Sequence, residues 1–106
     1  MLRRLVAEKI FAMAGAFNVP VAMLAERTGF KAVYISGAGL ANGTGGHPDV
    51  GLLGIDEMAR EADYIANAVK IPCICDADTG FGEVWQVMRT VRAYECEGLT
   101  GLHFED

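Results

Sequence analysis

Short apolar, β-branched stretches alternate along this chain with segments whose apolar residues recur at helical spacing. No other feature restricts the possible folds as much. Ile10 to Ala14 is a short apolar run, read as the first strand. Asn18-Val19-Pro20 then starts a helix, with Asn18 as N-cap and proline early in the first turn. Val21, Leu24 and Ala25 continue at helical spacing, and Gly29 ends that helix. Lys31 to Ser36 (KAVYIS) predicts a second strand from its β-branched and aromatic content. From Ile55 to Val69, Met58, Ala62, Ile65 and Val69 fall on one helix face, and Asp56 and Glu57 lie near its positive end. Pro72 introduces CICDAD, a third strand. Val84, Val87, Met88 and Val91 mark another helix ended by Gly98, and Thr100 to Asp106 (TGLHFED) begins a fourth strand.

The order is thus β-α-β-α-β-α-β after a leading helix. Strands alternating with helices of about 10–15 residues connect as parallel crossovers, so the fold class is α/β with about four parallel strands. At 106 residues the chain fits one compact domain and is too short for a complete (β/α)8 barrel, which takes about 250 residues. The long connection Gly37 to Gly54 holds seven of the thirteen glycines and reads as a loop, and a loop of that length is more often functional than idle. A dinucleotide fingerprint fails there: Asn42 occupies the third glycine position, and no helix is expected to open promptly after Ser36-Gly37-Ala38-Gly39. The turn is instead read as one whose N–H groups cradle a carboxylate or phosphate.

A net charge of −5 argues against a nucleic-acid partner, whose backbone is met by clustered Lys and Arg. No apolar run approaches the roughly 18–20 residues of a membrane span, so no membrane role is expected. Met1-Leu2-Arg3-Arg4-Leu5 opens like a signal peptide but soon reaches Glu8-Lys9, which favours a short N-terminal helix. Cys73-Ile74-Cys75 has no second pair to complete a zinc site, and the third cysteine, Cys96, lies on a helix pattern. Buried, reduced thiols in a cytoplasmic protein are the simple account of all three.

In parallel α/β folds ligands bind beyond the carboxyl ends of the strands, and residues two apart share a face. Tyr34 and Ser36, Asp76 and Asp78, and His103 and Glu105 then place polar groups on one face of three successive strands, near the same end. Asp76 and Asp78 bring two like charges together, and a hard divalent cation is the economical answer, with Glu105 as a third acidic contact. Thr79-Gly80-Phe81-Gly82 supplies a turn that lets backbone approach a ligand. Taken alone, Asp49 is a turn former and His47 a surface loop residue. His103 is either a hydrogen-bonded core histidine or part of the site.

Gly15-Ala16-Phe17-Asn18, Tyr34-Ile35-Ser36-Gly37-Ala38-Gly39, Pro48-Asp49-Val50-Gly51, Asp76-Ala77-Asp78-Thr79-Gly80-Phe81-Gly82 and His103-Phe104-Glu105-Asp106 together resemble the isocitrate lyase and phosphoenolpyruvate mutase superfamily, nearest its 2-methylisocitrate lyase-like branch. Order and spacing agree from about residue 10 onward. The resemblance implies a lyase that uses Mg²⁺ or Mn²⁺ to hold an α-keto acid or its enolate. Its fold would be a TIM-type barrel, of which residues 1–106 supply the N-terminal half. It implies Asp76, Asp78 and Glu105 as metal ligands, and Ser36, Gly37 and Ala38 as holders of the substrate carboxylate. His103 would also bind substrate, Tyr34 would stand beside the enolate oxygen, and Asp49 would belong to the metal's outer surroundings. The partner is a small carboxylic acid, and the full-length protein is expected to be a homo-oligomer.

One departure outweighs the rest. The lyases carry their acid cysteine in a K-K-C-G-H or K-R-C-G-H loop after the strand that reads HFED here, and the 106 residues stop before it. Cys73, Cys75 and Cys96 do not occupy that position, so little or no turnover is expected of this stretch alone. His47, where the lyases usually have an apolar residue, is a smaller departure. Other expectations left open are a phosphoenolpyruvate mutase, phosphonate hydrolase or oxaloacetate decarboxylase relative, and a non-catalytic half-barrel.

Overall fold

The structure, a computed structural model, describes residues 1–8 and 10–105. Helix α1 (Leu2–Glu8) precedes strand β1 (Ala14–Ala16), helix α2 (Val19–Arg27) and strand β2 (Val33–Ile35). A short helix α3 (Gly37–Leu40) runs straight into a π-helical turn at Ala41–Gly45. Helix α4 (Ile55–Ala68), strand β3 (Cys73–Asp76), helix α5 (Val84–Cys96) and strand β4 (Gly101–His103) complete the order. The strands form one parallel sheet in sequence order, β1-β2-β3-β4.

Local chemistry explains most of the boundaries. The Asn18 side chain accepts the Val21 N–H at 3.0 Å and Pro20 lies in the first turn, so α2 begins where its cap permits. Gly29, at φ +96°, takes the left-handed conformation past the end of that helix. Glu57 reaches back to the Gly54 N–H at 2.9 Å and sets the start of α4. Glu26 accepts the N–H groups of Lys70 and Ile71 at 2.7 and 3.2 Å, which ties the end of α2 to the segment entering β3.

Alternation along the strands then builds the core. Val33, Ile35, Cys73 and Cys75 face the helices and are buried with Ala22, Met58, Ala62, Ile65 and Tyr94. The opposite face carries Tyr34, Ile74, Asp76 and His103 and stays partly or fully exposed.

Three expectations are corrected. The first strand lies at Ala14–Ala16 rather than across Ile10 to Ala14, because its register is set by pairing with Val33–Ile35, and Ile10 is fully exposed. The glycine-rich connection is not a plain loop: Ser36 caps a helix at once, its hydroxyl accepting the Gly39 N–H at 3.0 Å. Cys73 and Cys75 are buried free thiols, but Cys96 is exposed at the end of α5. The predicted last strand residue, Asp106, lies outside the described residues.

Candidate active site

The sheet gathers the polar residues at the carboxyl ends of β2, β3 and β4. Asp76 ends β3 and pairs in register with His103, the last residue of β4. The β3–β4 ladder continues beyond both strands, with Ala77 N–H donating to the His103 carbonyl and Glu105 N–H to the Asp78 carbonyl, each at 2.8 Å. That continuation brings Glu105 back to the acidic turn. Donor atoms of Asp76, His103 and Glu105 consequently lie within 4.8 Å of one another.

Asp78 does not continue the strand face of Asp76. It sits in the following turn at φ +52°, and its N–H donates to Asp76 Oδ1 at 3.0 Å. The expectation that alternation on one strand pairs the two aspartates is therefore corrected: a tight turn, not the strand pleat, brings them together. Asp78 lines the same cleft but stands outside the three-residue group.

Several contacts hold this turn in its sparsely populated conformation. Phe81 also has a positive φ, +63°. A Cβ on Gly80 would lie 2.5 Å from Val87, and one on Gly82 would lie 2.8 Å from Gln86, so α5 packs against the glycines themselves. The buried Thr90 hydroxyl donates to the Gly80 carbonyl at 2.9 Å and secures the turn to α5. Sequence reasoning named Phe81 only as a member of the turn and gave Thr90 no part. A lone threonine on an apolar helix face was the available signal for the latter.

At the end of β2, the Ser36 N–H donates to the Ala16 carbonyl at 3.2 Å, and the Gly37 N–H to Asp76 Oδ2 at 3.3 Å. Two of the three amides expected to meet a substrate carboxylate are thus engaged within the protein. The Ala38 N–H, in the first turn of α3, has no intrahelical acceptor, and the Ser36 hydroxyl keeps its own proton to donate.

Tyr34 and His103 reach across β3: the Tyr34 hydroxyl lies 3.1 Å from His103 Nδ1. Partial burial, and then the charges of Asp76, Cys75 and Glu105, push the Tyr34 hydroxyl above its ordinary pKa, so it stays protonated. Asp49 is exposed in the segment before α4 and lines a cleft of about 760 Å³ with Gly37, Asp76, Asp78 and Glu105. Leu53, Met58 and Phe81 give that cleft an apolar wall. Tyr34 and His103 do not line it.

Acidic oxygens beside a helix start lie at the carboxyl ends of parallel strands, the end at which α/β proteins bind their ligands. The family model for phosphoenolpyruvate phosphomutase matches residues 2–106, and the chain belongs to that family, within the superfamily that also contains isocitrate lyase. It is 45% identical to a 2-methylisocitrate lyase of Aeropyrum pernix, over 100% of this chain and 34% of the relative. It superposes on a crystal structure of oxaloacetate acetylhydrolase with a TM-score of 0.93 at 36% identity, covering 99% of this chain and 38% of the other. A structure of phosphonopyruvate hydrolase with oxalate and Mg²⁺ gives a TM-score of 0.90 at 35% identity, over 96% and 36%. The chain spans about a third of the length of the curated relatives it matches. Among the described residues no helix is long and apolar enough to cross a membrane.

Proposed function

We propose that the chain is the N-terminal portion of a Mg²⁺- or Mn²⁺-dependent carbon–carbon lyase that releases an α-keto acid such as pyruvate from a 2-methylisocitrate-like acid. The observation that carries this reading is the convergence of Asp76, His103 and Glu105 at one end of the sheet. Two carboxylates with room for water and substrate oxygens are the donor set Mg²⁺ prefers, so these residues fit such an ion. Asp76 and Glu105 would hold it, and Asp78 and Asp49 would act from its outer surroundings. When bound, the ion supplies Lewis-acid stabilisation of the negative charge that develops on an enolate oxygen.

The remaining work falls to the chain's own groups. Gly37 fixes the Asp76 carboxylate through its N–H, so contact with the substrate carboxylate passes to the Ser36 hydroxyl and the Ala38 amide. Tyr34, protonated, stands with His103 beside the acidic group. Cys73 and Cys75 lie behind the sheet and Cys96 ends α5, so none takes the role of the acid cysteine, and the 106 residues alone turn over little substrate. In the whole protein we expect a barrel of which these four strands are one part, a cytoplasmic location and a homo-oligomer.

Calorimetric Mg²⁺ titration of the chain and of Asp76→Ala and Glu105→Ala tests the ion site. Affinity unchanged by both substitutions would refute it. The longer protein should release pyruvate from 2-methylisocitrate. Turnover only of phosphonopyruvate or oxaloacetate would move the assignment to those branches, and no turnover of any would favour a non-catalytic role.

A further inference from the structure

We propose that Phe17 positions the substrate-carboxylate donors of the Ser36–Ala38 turn, its ring filling the space that side chains on Gly39 and Gly43 would occupy. This inference rests on the role proposed above for the Ser36 hydroxyl and the Ala38 amide.

The segment that carries those donors has little stiffness of its own. Gly37 to Gly45 holds four glycines in nine residues, and glycine weakens a helix through its backbone freedom. After four residues α3 gives way to the π-helical turn, a rare form of helix that is frequent at functional sites. Packing therefore decides where this segment lies. On one side Leu40 and Ala41 are buried in the core. At its start the Ser36 N–H donates to the Ala16 carbonyl at 3.2 Å, which ties the turn to the end of β1.

Phe17 follows Ala16 directly, so its ring rises beside the turn at the ligand end of the sheet. Residues four apart share a helix face, and Gly39 and Gly43 present that face to the ring. A Cβ on Gly39 would lie 2.8 Å from the Phe17 Cβ, and one on Gly43 would lie 2.6 Å from Cδ2 of the ring. Carbon atoms in ordinary contact stand about 3.5–4.0 Å apart. Neither glycine has a positive φ, so the closeness of Phe17, and not the backbone conformation, is what requires glycine at both places.

These contacts act as a stop. The sheet and the core hold the segment along one line, and Phe17 removes the remaining rotation about it. The Gly39 N–H donates to Ser36 Oγ at 3.0 Å, so a rotation that carries Gly39 away also turns the serine hydroxyl, with Ala38 between them. Phe17 remains 40% exposed, so little of the core depends on it. It is a positioning residue that acts through Gly39 and Gly43.

The test uses the 106-residue chain at saturating Mg²⁺, with pyruvate as the probe and ¹H–¹⁵N spectra as the readout. Phe17→Ala and Gly43→Ala should each weaken pyruvate binding about fivefold, the share of one neutral hydrogen bond, with Mg²⁺ affinity within about twofold of the parent. In both variants the Gly39 and Leu40 amide protons, which bond to Ser36, should exchange at least about fivefold faster while amides within the sheet stay protected. Combining the two substitutions should return pyruvate affinity to within about twofold of the parent, because the new methyl group occupies space the ring has left. Phe17→Leu, which keeps much of the contact, should bind pyruvate like the parent.

Unchanged pyruvate affinity in Phe17→Ala, a parallel loss of Mg²⁺ affinity, or no recovery in the double variant overturns the proposal. So does faster exchange throughout the sheet, which would make Phe17 a general support of the fold. If the parent takes no pyruvate, the carboxylate-holding reading fails and the positioning role with it. The exchange rates would still report whether Phe17 holds the segment.

Discussion

Gly37→Ala should disable the proposed cation site while leaving the fold nearly unchanged. Gly37 is not in the left-handed region, so its backbone accepts alanine without strain. The new Cβ would lie 2.8 Å from Asp76 Oδ2 and 3.2 Å from its Cγ. To restore ordinary contact the carboxylate must retreat by about 0.5 Å, the tolerance within which a functional group must be held. That movement also stretches the Gly37 N–H···Oδ2 bond, already 3.3 Å long, beyond useful length. Losing so long a bond costs about 1 kcal/mol, and alanine in place of glycine in a helix returns about 0.5–1 kcal/mol. The net change in stability is therefore within about 1 kcal/mol, a Tm shift of no more than about 8 °C for a domain of this size. Mg²⁺ affinity should fall about tenfold or more, since 1.4 kcal/mol of misplacement is enough. Thermal unfolding by circular dichroism and Mg²⁺ calorimetry on the same samples separate the two effects. Mg²⁺ affinity within twofold of the parent would refute the reasoning, and a Tm loss above about 15 °C would show that Gly37 supports the fold itself.

Three further outcomes are expected. Tyr94 is fully buried with its hydroxyl unpartnered among the described residues, so Tyr94→Phe should raise the urea-unfolding free energy by about 1 kcal/mol; a loss of that size instead would reveal a hydrogen bond to the neighbouring Cys75 thiol or to a trapped water. Thr90→Val removes the hydroxyl that satisfies the buried Gly80 carbonyl and should cost about 1–3 kcal/mol, with weaker Mg²⁺ binding as the acidic turn relaxes; an unchanged urea midpoint would count against that anchor. Burial pushes the Cys73 thiol up to about 11 and the Cys75 thiol up to about 12, from an ordinary value of 9.0. Both raised values mean that the unfolded chain loses these protons first. Their contribution is intact below pH 9 and is lost as pH climbs toward 11–12, at up to about 1.4 kcal/mol per pH unit for each thiol. Urea midpoints between pH 8 and 10 should fall more gently in Cys73→Ala, and parallel slopes would show that Cys73 does not stay protonated.

The helix at Val19–Arg27 was legible because its signals are local: an asparagine cap, an early proline and a glycine past the end all act within a few residues. The α4 helix was legible from its apolar period. The first strand was misplaced because an apolar run does not reveal where pairing begins, and only the register against Val33–Ile35 does. The helix after Ser36 was missed because glycine content suggested freedom, whereas the serine cap and packing against Phe17, 2.8 Å from a Cβ on Gly39, select one conformation.

For the site, alternation along β3 and β4 was enough to align Asp76 with His103 and to bring Glu105 to the same end, since side-chain direction in a parallel sheet follows residue parity. Parity could not place Asp78, because the chain leaves the strand at Ala77 and a left-handed residue turns it back. Nor could it show that the Gly37 amide is used by Asp76, or that Tyr34 meets His103 from two strands away. Those contacts join residues 39 and 69 positions apart, and their distances depend on sheet twist and on helices packed behind it. Local sequence therefore specified which chemical groups face the ligand end, and long-range packing decided which of them are free to act and which hold one another in place.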